Sequence, residues 1–94
     1  MSYYIVNDAG FEVALEFYGK NQTWPGDGKV YALDPNTKKS IPVECSAGER
    51  ICYGAWRVGN DRQYFGGGPD MQYACKDCCF VCVKSSTSTI RFGR

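Results

Sequence analysis

The run Cys75-Lys-Asp-Cys78-Cys79-Phe-Val-Cys82 constrains this chain more than any other feature. It packs four thiols into eight residues, and Cys45 and Cys52 upstream complete a set of six cysteines in 94 residues. Three chemistries compete for them. In the first, the sulfurs hold a metal. Two residues between paired cysteines let one tight turn aim both thiolates at a single ion, and the absence of His leaves a site that is all-thiolate or uses a carboxylate, the all-thiolate form favouring zinc or an iron–sulfur cluster. Four of Cys45, Cys52, Cys75, Cys78, Cys79 and Cys82 would then be ligands, with two left over. In the second, the even count in a short chain gives three disulfides. Cys78 and Cys79 do not bond to each other in that case, because such a ring strains the peptide between them, and the pairing is otherwise open. In the third, positions 75, 78, 79 and 82 follow the i, i+3, i+4, i+7 pattern of one helical face. A helix opening near Asp70, behind Pro69, would carry Met71 and four buried, unligated thiols on one stripe.

Compartment bears on the choice. Met1-Ser-Tyr-Tyr-Ile-Val-Asn-Asp has no basic start followed by an apolar run, and no stretch is long enough to cross a membrane. If Met1 is the native start, the chain begins in the cytoplasm, where thiols stay reduced and zinc is favoured. If Met1 was added to a trimmed mature chain, a periplasmic or secreted location and disulfides follow. Structural zinc is preferred by a narrow margin. Cys75-x-x-Cys78 also has the spacing of a redox pair, but the chain lacks the alternating strands and helices of a thioredoxin-like domain.

Ninety-four residues make one domain with a modest core. Tyr3 to Val6 reads as a strand, Asn7 to Gly10 as a turn, and Phe11 to Tyr18 as a strand that pairs back in a hairpin, with Phe11, Val13, Leu15 and Phe17 inward. Strands follow at Lys29–Asp34, at Lys39–Cys45 (a sheet edge because of Pro42), at Arg50–Val58 and at Gln63–Phe65. Gly66-Gly-Gly-Pro69 reads as a flexible hinge. The segment from Ser85 to Phe92 supplies a last edge strand. The expected fold is mainly β: a small antiparallel sheet or barrel of about six or seven short strands, with one short helix or knuckle carrying the cysteine cluster.

Glu49-Arg-Ile-Cys-Tyr-Gly-Ala-Trp56, followed by Cys75-x-x-Cys78-Cys79-x-x-Cys82, resembles a pattern in small uncharacterised bacterial cysteine-rich proteins. The Trp24-Pro-Gly26 loop and Cys45 belong to the same resemblance, which spans roughly residues 11 to 82. It implies one stapled domain and carries over no activity and no catalytic residue.

Composition narrows function further. Eleven basic and ten acidic residues leave a net charge of +1, which gives no electrostatic drive for non-specific nucleic-acid binding. The lack of His removes the commonest general base. Glu12 and Glu16 share a strand face but read as solvated carboxylates rather than a catalytic pair. The glycine run lacks the Lys-Ser/Thr of a phosphate loop. Asn21-Gln-Thr23 matches a glycosylation triplet, which the lack of a secretion signal discounts. What remains is an excess of aromatics, 15% of the chain. Trp24, Tyr53, Trp56, Arg57, Arg62 and Tyr64 are the candidate contact residues. Trp24 either folds back as a lid on the core, which is preferred, or offers its ring to a partner. The expectation is a non-catalytic protein-interaction module stabilised by its cysteines, with no membrane partner. Its alternatives are a single-stranded nucleic-acid binder that stacks bases on those rings, and a thiol redox protein.

Overall fold

Alternating, strand-forming segments give nine strands in the computed structural model, which describes residues 1–93. They form two sheets, neither of them closed into a barrel. In the three-stranded sheet, β1 (Ser2–Asn7) lies between β5 (Thr37–Pro42) and β9 (Thr87–Phe92). β1 runs antiparallel to β5, with Tyr3 opposite Ile41, and parallel to β9, with Ile5 opposite Ile90. The six-stranded sheet is built on β2 (Val13–Tyr18) and β6 (Arg50–Arg57), antiparallel with Leu15 opposite Ala55. β3 (Thr23–Trp24) and β4 (Tyr31–Leu33) pair with the far side of β2. β7 (Asn60–Gly66) and β8 (Cys79–Val81) pair with the far side of β6.

The core lies where the inward faces of the two sheets meet. Tyr3, Ile5, Ile41, Ile90 and Phe92 from the small sheet join Val13, Leu15, Phe17, Leu33, Ile51 and Ala55 from the large one. Each large side chain buried in this way is worth roughly 1.5–3 kcal/mol. The Tyr3 ring stacks on Phe17 with centroids 4.3 Å apart, so an aromatic pair bridges the sheets directly. Asn7 is fully buried among them. Its Nδ2 donates to the carbonyls of Phe11, Leu33 and Asp34 at 3.0–3.1 Å, and its Oδ1 accepts from the Ala9 amide at 3.0 Å. It ties the end of β1 to the chain entering β2 and leaving β4.

Several sequence expectations are corrected here. Both expected strands form, as Ser2–Asn7 and Val13–Tyr18 with Phe11 and Glu12 left outside, but they do not make a hairpin: the chain between them passes from one sheet to the other. The cysteine cluster is not helical. A single 3-10 turn, Pro69–Met71, precedes it, and Cys79 already lies on β8. The glycine run is not a hinge. Gly67 and Gly68 are buried, and a Cβ on Gly54 would fall on the Gly68 carbonyl oxygen. That close crossing, rather than flexibility, is what the glycines permit.

Candidate interaction surface

All six cysteines are paired: Cys45 with Cys82, Cys52 with Cys79, and Cys75 with Cys78. This removes every thiolate that zinc would need. Among the described residues no group of three or more His, Cys, Asp or Glu could hold a metal ion. The zinc expectation is therefore corrected to disulfides, and the buried free-thiol arrangement falls with it. Cys52 bonds to its register partner on β8, and Cys45 reaches Cys82 at the core. The Cys45 and Cys52 bridges close loops with sequence separations of 37 and 27. In the chain-entropy account they stabilise by about 4 kcal/mol each, against about 2 kcal/mol for the four-residue loop at Cys75.

The bridges pin one particular layer. On β6, Ile51, Tyr53 and Ala55 face the core, and Cys52, Gly54 and Trp56 face outward. Across from them, Glu16 and Tyr18 on β2 stand opposite Gly54 and Cys52. The segment after β7 folds down over this outward face. Gly67 N–H donates to the Tyr53 carbonyl at 3.1 Å, and Tyr53 N–H donates to the Cys78 carbonyl at 2.8 Å, which fills the edge of β6 between β7 and β8. The Tyr18 hydroxyl donates to Glu16 Oε1 at 2.9 Å and accepts from the Asp70 amide at 3.1 Å. Burial first, and the Glu16 hydrogen bond next, push the Tyr18 phenol well above its ordinary range. It acts as a neutral hydrogen-bonding post under the loop.

At the open end of this face three aromatic rings come together in the fold. Trp56 and Tyr64 are register partners on β6 and β7. Tyr64 stacks on Tyr73 with centroids 4.0 Å apart and planes 12° from parallel. Trp56 is half-buried; Tyr64 and Tyr73 are 41% and 38% exposed. Arg62, exposed, precedes Tyr64 by two positions on the same strand.

The other candidates lie elsewhere. Trp24 is 7% exposed and packs into the core, so its ring is a lid. The Tyr53 ring turns inward against Phe92 and Phe80, at 6.0 and 6.5 Å. Its phenol is raised by burial and, secondarily, by Asp77. Arg57 lies 4.7 Å over the Phe11 ring and donates to Gln63 Oε1 at 2.8 Å, so its guanidinium is engaged within the molecule. Sequence reasoning missed Tyr73. It sits in a polar stretch with no periodicity, and only its stacking on Tyr64 brings it into the set.

A cleft of about 900 Å³ opens on the same face at the Tyr18–Cys52 end, where Met71 and the turns at Lys20–Gln22 and Ser46–Arg50 line it. The Glu49 carboxylate inside it accepts from the backbone amides of Ser46 and Lys20 at 3.1 and 3.2 Å. Those bonds clip the two turns together. No protein-family model matches the sequence, and it matches no curated protein and no solved structure.

Proposed function

We propose that this is a non-catalytic, disulfide-stabilised domain that binds a protein partner through Trp56, Tyr64, Tyr73 and Arg62. The observation that carries the reading is the exposed Tyr64–Tyr73 stack beside Trp56 on a face whose backbone is held by bridges on either side. Aromatic rings and Arg dominate the energy of protein interfaces, and they do so best when little order has to be imposed on binding. The stack is ordered before any partner arrives, so its rings bind without a large entropic cost. Three disulfides fit an oxidising compartment, periplasmic or secreted.

The test is retention from the extracellular or periplasmic protein pool, with the native domain and its Trp56→Ala and Tyr64→Ala variants side by side. A protein held by the native domain and weakened about tenfold or more in the variants, at unchanged folding, supports the reading. Identical retention contradicts it. A parallel titration with single-stranded oligothymidylate at low salt separates the nucleic-acid alternative, which requires binding there.

A further inference from the structure

The Cys75–Cys78 bridge differs from the other two in what it constrains. Its cysteines are three positions apart, against 27 and 37 for the others, so it restricts the unfolded chain least. Neither cysteine lies on a strand. Cys75 is half-buried and Cys78 is 1% exposed. A thiolate arriving from solvent therefore meets Cys75 Sγ, and the sulfur that departs is Cys78. The flanking backbone is anchored independently of the bridge. Tyr73 N–H donates to the Gly67 carbonyl at 3.0 Å on one side, and Cys78 accepts from Tyr53 on the other. Opening the bridge frees residues 74–77 without unpairing a strand and leaves the backbone of Tyr73 held by that single hydrogen bond to Gly67.

Cys78 Sγ also lies 3.7 Å from Cys79 Sγ, so two bridges form one cluster of sulfurs. The disulfide sulfur in contact with Cys78 is that of Cys79. Attack on Cys79 would expel Cys52 and close a ring between adjacent residues, which strains their peptide. Exchange therefore stops after the first bridge has opened.

We propose that Cys75–Cys78 is a thiol–disulfide exchange site whose substrate is an external dithiol, and that opening it loosens Tyr73 from Tyr64. One thiolate of the dithiol attacks Cys75 Sγ, forms a mixed disulfide and breaks the Cys75–Cys78 bond, leaving a Cys78 thiolate that takes up a proton. The second thiol of the reagent attacks the mixed disulfide and expels Cys75 as its thiol. The dithiol is oxidised to its disulfide, and two electrons and two protons pass to the protein. Tyr73 lies two residues from Cys75, so the stack that covers Tyr64 loses its nearest covalent tether. This second half rests on the proposed interaction face, whereas the exchange chemistry does not.

The experiment exposes the native protein to buffers of graded reduced-to-oxidised dithiothreitol ratio, alkylates the thiols and maps them by peptide mass. The expected result is a plateau at two alkyl groups, on Cys75 and Cys78, over a range where the other four cysteines remain paired. Reduction of all six in one step, or of another bridge first, overturns the proposal. The Cys75→Ser/Cys78→Ser variant, which keeps both long-range bridges, tests the consequence. Tyrosine quenching by acrylamide is expected to rise in it, and unchanged quenching overturns the release of Tyr73. Both readouts need no partner, so their failure is distinct from failure of the interaction reading.

Discussion

Tyr64 on β7 and Tyr73 in the loop after the 3-10 turn stack almost flat, 4.0 Å between centroids, and remain 41% and 38% exposed. The pair docks an irregular segment onto the sheet while leaving aromatic surface for a partner. Tyr73→Ala is expected to lower stability by about 1 kcal/mol, the worth of an aromatic pair. Denaturant unfolding measures the loss, and ring-current shifts of Tyr64 measure the uncovering. An unchanged Tyr64 spectrum would mean the rings do not stack in solution.

Asn7 is fully buried, and both ends of its amide are used. Asn7→Ala strands several backbone groups in a dry core and is expected to cost about 3 kcal/mol. Asn7→Asp is expected to cost more, since a carboxylate would face three carbonyl oxygens. Urea melts of the two variants check the order, and a near-neutral Asn7→Ala would show that water replaces the amide.

Gly54→Ala places a methyl against the Gly68 carbonyl, backbone against backbone, with the Tyr18 ring at 3.3 Å. Neither neighbour is a flexible side-chain end that moves at low cost. Overpacking of this kind costs about 1–3 kcal/mol and lifts the 67–73 segment off the sheet. A melting temperature within about one degree of the native value would show that the crossing is loose.

Tyr3 is fully buried and its hydroxyl has no partner. Burial pushes its phenol from 10.0 up to about 12. Below pH 10 the phenol is neutral in the folded and unfolded chains alike, and stability is at its full value. Between pH 10 and about 12 the unfolded chain releases a proton that the folded chain keeps, so stability falls as pH rises. Tyr3→Phe removes the unpartnered hydroxyl. It is expected to gain about 1 kcal/mol at pH 7 and to flatten the alkaline decline. Denaturant melts at pH 7 and pH 11 test both, and a destabilised variant would mean that the hydroxyl has a partner in solution.

Strand character was legible in the longer strands, whereas β3 and β8, only two and three residues long, fell in segments that read as a loop and as a knuckle. The expected strands at Phe11–Tyr18 and Arg50–Val58 appear as β2 and β6, and that at Gln63–Phe65 lies within β7. Pairing was not legible where it is long-range. β1 takes both its neighbours from far along the chain, β9 from more than 80 residues away, and the local turn at Asn7–Gly10 points to β2 instead. The helical spacing of the cysteines was a coincidence of two local geometries. Cys75 and Cys78 close a tight turn, and Cys79 is positioned by strand pairing with Cys52. Trp56 and Tyr64 were legible as an exposed pair because strand alternation fixes their face. Trp24 was legible as a lid on the core, whereas the inward turn of the Tyr53 ring depends on packing against Phe80 and Phe92 from segments far along the chain.

The claim beneath the rest is that three specific disulfides, and no metal, close this fold. Intact mass of the protein purified without reductant, followed by peptide mapping without reduction, tests it most directly. The account predicts a chain about six hydrogens lighter than its reduced form, with linked peptides joining Cys45 to Cys82, Cys52 to Cys79 and Cys75 to Cys78. A chain at its fully reduced mass, alone or carrying a zinc ion in native spectra, would contradict it.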